Sequence, residues 1–148
     1  MYIVRYSEIG LKGKSSRRQM ESRLVYNIKS ALKVNGINAE VKCVFGRIYI
    51  ESEEYLIGNF LSRIFGIKSY SRAIRFTSTD FEEIVEKAFK IFSSSVSGKT
   101  FSVRTRRMGT HSFNSLDISK AIADKLFDLS SGVNLETPDV EVYVEIRD

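Results

Sequence analysis

In the first 76 residues the apolar spacing switches repeatedly between the two-residue period of a strand and the 3.6-residue period of a helix, and this order restricts the fold of the 148-residue chain more than any other feature. YIVRYS, residues 2–7, suits a strand. From Ser16 a helical face follows, with Met20, Leu24, Ile28, Ala31 and Leu32 at steps of three and four. Ser16 with Gln19 fits a capping box, and Asn35-Gly36 makes a stop. AEVKCVF and RIYIES flank Gly46, which predicts two strands joined by a tight turn. Leu56, Phe60, Leu61 and Ile64 mark one face of a second helix ending at Gly66, and SYSRAIRFT supplies a further strand. The order β-α-β-β-α-β over residues 1–76 is the split βαβ, or ferredoxin-like, arrangement. Such an antiparallel sheet buries one face under both helices.

TSTDF then links into a second unit, residues 77–148, which together with the first makes the chain an α+β protein. Asp80 can cap a helix running to about Ser95, with Ile84, Ala88, Ile91 and Phe92 inward, and a loop spans Ser93–Gly98. TFSVRTRR alternates, so Phe101 and Val103 share one side while Arg104 and Arg106 share the other. After the loop MGTHSFN, Ser115 caps a helix carrying Ile118, Ile122, Leu126 and Leu129. Thr137-Pro138 turns the chain into DVEVYVEIR, whose Val140, Val142, Val144 and Ile146 alternate with polar residues. So regular a strand should have a paired neighbour, and the unit is small for a self-sufficient core. The expectation is the front part of something longer.

A hydrophobic content of 43% with 28% charged residues is globular rather than disordered. No apolar run approaches the roughly 18 residues that cross a bilayer, so no membrane partner is expected. The opening residues lack the apolar core and cleavage site of a signal peptide. One cysteine, Cys43, and one histidine, His111, make neither a disulfide framework nor a zinc cage, so no metal is expected. Cys43 suits a small buried core position. The cytoplasm is the natural compartment.

Net charge is +5, unevenly spread. Residues 1–76 hold 14 Lys/Arg against 6 Asp/Glu, whereas residues 77–148 hold 9 against 12. The asymmetry suggests that the first half meets a polyanion, the plain alternative being a solvated basic surface. Within that half, EIGLKGKSSRR gathers Lys12, Lys14, Arg17 and Arg18 where a strand gives way to a helix. A helix N-terminus already carries partial positive charge, so each cation there is disfavoured by about 0.3–1 kcal/mol. Their presence fits preparation for an anion, which exposed N–H groups and the dipole both favour. Gly10 and Gly13 would let the backbone bend closely around it. Alternatively, Arg17 and Arg18 turn away to pair with Glu8 or Glu21. The spacing is not that of a nucleotide P-loop.

VRTRRMGTH forms a second cluster in the otherwise acidic half, with Arg104 and Arg106 on one strand face and Arg107 at the strand end. His111 and Ser112 precede a capped helix, another anion-friendly place. Alternatively, this is an ordinary charged strand face, and His111 a loop hydrogen-bonder that could still donate to a phosphate or stack on a base. Two separated cationic clusters suit an extended polyanion. Phe45, Tyr49, Phe76 and Phe101 are scattered and mostly fit core positions, so backbone and shape recognition of a helical RNA is favoured over single-strand stacking.

VRYSEIGLKGKSSRRQMESRL resembles the opening of the tRNA 4-thiouridine synthetase (tRNA sulfurtransferase) family, with Ser7 where glycine is usual. FSVRTRRMGTHSFNSLDISKAIA and PDVEVYVEIRD resemble that family's THUMP domain. The resemblance implies an N-terminal ferredoxin-like domain and a THUMP domain that grip the acceptor stem and 3′ end of tRNA. It implies that Lys12, Lys14, Arg17 and Arg18 contact the tRNA backbone, joined from the THUMP side by Arg104, Arg106, Arg107 and His111. Uridine 8 would then be delivered to a following adenylating domain that uses ATP and a sulfur donor. This chain contains no S-G-G-x-D-S loop, so no catalytic residue and no cofactor are expected in it. A final THUMP strand after Asp148, a homodimeric full-length enzyme and a link to thiamine biosynthesis are further implications of the family. The competing readings are a self-contained enzyme or binding protein for a phosphorylated small molecule at the Lys12–Arg18 loop, with Glu8 as its sole base, and a protein-interaction module.

Overall fold

Val4, Ile48 and Ile50 are fully buried while their strand neighbours are partly exposed, so one face of the first sheet meets solvent and the other forms a core. The computed structural model describes residues 1–6, 8–44 and 46–147, with Glu8 and Gly10 described by backbone alone. The chain divides into two compact units, Met1–Phe76 and Thr77–Asp148.

In the first unit, β1 (Tyr2–Arg5) leads through a 3-10 turn (Glu8–Leu11) into the 21-residue helix α1 (Lys14–Val34). β2 (Glu40–Val44) and β3 (Arg47–Glu51) form a hairpin, followed by the short α2 (Ile57–Leu61) and β4 (Ser69–Arg72). The sheet order is β2-β3-β1-β4 with every neighbouring pair antiparallel, the ferredoxin-like topology. Leu24, Ile28 and Leu32 from α1 and Ile57 and Leu61 from α2 pack on Tyr2, Val4, Val41, Ile48 and Ile50.

In the second unit, α3 (Phe81–Val96) precedes β5 (Thr100–Arg107), α4 (Ser115–Phe127), β6 (Gly132–Val133) and β7 (Val140–Ile146). The sheet is parallel, in the order β6-β5-β7, and β7 pairs with β5 from Phe101↔Val140 to Arg107↔Ile146. Phe101, Val142 and Ile146 are buried together with Ile118, Ile122 and Leu126 of α4. Ser119 Oγ donates or accepts a 2.8 Å hydrogen bond with Thr105 Oγ1, tying α4 to the odd-numbered face of β5. Arg104 and Arg106 therefore project from the opposite face.

Several local expectations are corrected. Ser16 is not a helix cap: α1 starts at Lys14, with Gly13 at the N-cap and no side-chain cap bond. Ser115 is the first helical residue, and Asn114 is the cap. Leu56 stands at the N-cap of α2 and is exposed, while Ile57 and Leu61 face the core. Leu129 follows the end of α4 and is 41% exposed. Helix α3 continues to Val96, which is buried, through the serines expected to form a loop. What the sequence suggests of Ser7, Phe45, Asp148 and the Glu8 side chain lies outside the described residues.

Candidate nucleic-acid interface

Among the described residues three helices exceed two turns, and their entrances differ in chemistry. At α3, Asp80 accepts a 2.8 Å hydrogen bond from the Glu83 N–H, and Glu82 and Glu83 occupy the first turn. At α4, Asn114 and Asp117 form a reciprocal capping box. At both entrances a first-turn amide and the dipole are thus answered by the protein's own oxygens. At α1 neither device exists: the cap is glycine, and no acid stands in the first turn. Its first internal hydrogen bond runs from the Arg17 N–H to the Gly13 carbonyl, at 2.9 Å. The preceding amides of Lys14, Ser15 and Ser16 have no acceptor among the described residues.

Gly13 does not use the conformational freedom of glycine, since its φ of −60° and ψ of 158° are open to any residue. What it contributes is an empty space, because a Cβ added there would meet nothing within 4 Å. Lys12, Lys14 and Arg18 around it are exposed, and none has a hydrogen-bonding or ion-pairing partner among the described residues.

Arg17 behaves differently. Its Nε lies 2.9 Å from Glu21 Oε1, one helical turn on, and Glu21 also accepts from the Tyr6 hydroxyl of the chain leaving β1. Cys43 Sγ of β2 lies 3.8 Å from the same hydroxyl. Burial opposes the charge of Glu21, but the hydrogen bonds from Tyr6 and Arg17 outweigh it and hold its carboxyl below the usual carboxylate range. Burial, reinforced by the bond to Glu21, pushes the Tyr6 phenol up. Burial likewise pushes the Cys43 thiol up, making it a poor nucleophile. The hydrogen bond to Glu21 raises Arg17 further, keeping it charged. Of the four cations at this corner, Arg17 braces α1 against β1 and the β2–β3 hairpin, and the other three face solvent.

The second cluster is more fully answered. Arg104 is ion-paired with Glu141 across β5–β7 at 2.8 Å, and Arg107 Nη1 donates to the Gly109 carbonyl at 3.0 Å. Arg106 is exposed, opposite Glu145, which is bonded to Arg147. His111 is half-buried, its ring centroid 5.4 Å from that of Phe113, which in turn meets Phe81 edge-on at 5.6 Å. At the α4 entrance the Asn114–Asp117 box engages the Asp117 amide and sets a carboxylate beside the helix start, which opposes an anion there.

Sequence reasoning missed the Tyr6–Glu21–Cys43 cluster, whose members are far apart in the chain. It also missed a groove on α1 formed by Arg18, Gln19, Ser22, Arg23 and Tyr26. The signal was present as polar residues opposite Leu24 and Ile28 on the helical wheel. Among the described residues no group of His, Cys, Asp and Glu converges to hold a metal, and no helix is long and apolar enough to cross a membrane.

The chain matches the family model of the ThiI ferredoxin-like domain over residues 1–71 and that of the THUMP domain over residues 78–148. It is 47% identical to the tRNA sulfurtransferase of Thermoplasma volcanium, covering 98% of this chain and 30% of that protein. Identity to a probable tRNA sulfurtransferase of Saccharolobus islandicus is 39%, covering 99% and 39% respectively. The chain thus spans between 30% and 39% of the length of these relatives. Among solved structures it is similar to PH1313 from Pyrococcus horikoshii, with a TM-score of 0.84 and 29% identity over 99% of this chain and 50% of that one. It is also similar to a 4-thiouridine synthetase in complex with RNA and bound ATP, with a TM-score of 0.73 and 32% identity over 99% and 38%. With both halves matched in order, the chain belongs to the tRNA sulfurtransferase, or 4-thiouridine synthetase, family, of which it carries the ferredoxin-like and THUMP domains.

Proposed function

We propose that the chain grips the acceptor region of tRNA through backbone phosphates and so presents the substrate for 4-thiouridine formation at position 8. The observation that carries this reading is the entrance of α1, uncapped, free of acid in its first turn and ringed by Lys12, Lys14 and Arg18. Arg17 acts mainly by holding that corner in place through Glu21. On the THUMP unit Arg106 is the principal contact. Arg104 and Arg107 reach RNA only by exchanging or sharing their present partners, and His111 shapes the loop beside them. In this reading adenylation with ATP and sulfur delivery from a donor fall to a domain outside the matched region.

Direct binding of the chain to tRNA and to a minihelix of the acceptor stem tests the reading. Replacing Lys12 and Lys14 by Ser, with Arg18→Glu, should weaken binding to unrelated stem sequences equally, because phosphate contacts carry no base information. Salt-independent binding, or an unchanged affinity in the triple variant, would refute it. A thermal shift with a nucleotide or sugar phosphate in the absence of RNA would favour a small phosphorylated ligand instead.

A further inference from the structure

Successive residues of a helix turn by about 100°, so the buried Leu24, Ile28 and Leu32 fix the core side of α1. Gln19, Ser22 and Tyr26 fall on the opposite side, with Arg18 and Arg23 flanking them to left and right. Together the five line a shallow open groove of about 450 Å³. Ser22 leaves room at its floor. Tyr26 is 62% exposed and makes no hydrogen bond or ring contact among the described residues, so packing gives no account of it.

The charge of the helix points the same way. α1 carries Lys14, Arg17, Arg18, Arg23, Lys29 and Lys33 against a single acid, Glu21. That acid is turned inward and shared between Tyr6 and Arg17, so the outer face holds no carboxylate. No exposed Leu, Ile or Phe lies along it to enter a bilayer. A bare acidic peptide would match the charge but has no use for a flat ring at the centre. A nucleotide strand matches both, with phosphates for the flanking guanidinium groups and a planar face for the ring.

We propose that the outer face of α1 is a second nucleotide-binding surface, in which Arg18 and Arg23 hold successive phosphates and Tyr26 packs its ring on the nucleotide between them. It rests on the RNA-binding reading above, and adds Arg23, Tyr26, Gln19 and Ser22 to the contact. The strand held at the entrance of α1 would run on for two further helical turns.

The test measures affinity of the chain for an acceptor-stem minihelix with its single-stranded 3′ tail, over a series of salt concentrations. Tyr26→Ala should weaken binding about tenfold with the salt slope unchanged, since stacking releases no counterions, and Tyr26→Phe should restore it. Arg23→Ser should reduce the slope of log K against log salt by about one. Both positions are exposed, so melting temperatures should match the wild type. If the wild type binds and replacing Lys12 and Lys14 by Ser weakens it, while Tyr26→Ala and Arg23→Ser bind unchanged, this proposal alone is overturned. If the wild type binds no RNA, the underlying reading falls first. Polyglutamate displacing the minihelix with equal loss in Tyr26→Ala would assign the groove to an acidic peptide and reject the nucleotide.

Discussion

Glu21 is the one carboxylate of α1, and its placement decides which neighbouring arginine remains available. By accepting from both Tyr6 and Arg17 it converts one cation of the corner into a brace. Replacing it with Gln should cost about 1.5 kcal/mol near neutrality, the low end for hydrogen bonds to a charged group, as measured by urea unfolding. The folded carboxyl sits below its ordinary value, so its contribution is complete above the ordinary carboxylate range and is lost as pH falls through the folded value. The gap between wild type and Glu21→Gln should therefore narrow below about pH 4. The Tyr6 phenol is shifted upward, so its share is present below about pH 10 and is lost only in stronger alkali. Cys43, with its thiol pushed up by burial beside Tyr6, should react with iodoacetamide much more slowly in the folded chain than in urea. Equal rates would place it outside this cluster.

At the scale of single elements, α1 gives up stability that α3 and α4 keep. Gly13→Asp should recover it: the site has room, and a side-chain cap with favourable dipole interaction is worth about 0.5 kcal/mol. The same carboxylate would occupy the amides offered to phosphate. A higher melting temperature with weaker RNA binding is the expected pair of results, and a gain in both would mean the entrance is not a contact. The hairpin supplies a second test. Gly46 has a φ of +76°, and a Cβ there would stand 3.0 Å from Arg17 Nη2, so Gly46→Ala should cost about 1–2 kcal/mol and loosen the brace. Gly36→Ala, with a similar φ of +71° but open space around it, should carry the backbone cost alone. The order and type of the long elements were legible because their apolar periods are regular. Their ends were not. Ser16 and Gln19 satisfy a capping pattern that cannot register a helix start three residues sooner, just after the 3-10 turn that buries Ile9. In the run Tyr55-Leu56-Ile57 a shift of one residue changes which side chain is buried, and only packing on the sheet selects Ile57.

Across the whole molecule, excess positive charge concentrates in Met1–Phe76, and the proposed RNA contact follows that gradient. If about six phosphates are neutralised, affinity should fall roughly a thousandfold between low and moderate salt, readable as a straight line of log K against log salt. The first cationic cluster was legible from composition and position alone. The partners of the second were not, because Glu141, Asn114 and Asp117 lie far from Arg104 and His111 in the chain, or read as ordinary polar residues, until the fold assembles them. Tyr26 was invisible for a related reason: a single tyrosine in a polar stretch acquires meaning only when the helix aligns it with Arg18 and Arg23.

The bare start of α1 has one more consequence, for dynamics. The amides of Ser15 and Ser16 have no acceptor among the described residues, whereas the Asp117 amide of α4 is tied to Asn114. Deuterium should enter the first site within the dead time of an exchange measurement and the second far later. Adding RNA should slow the first site and leave the second unmoved, so the chain carries its own reporter of occupancy beside an internal standard.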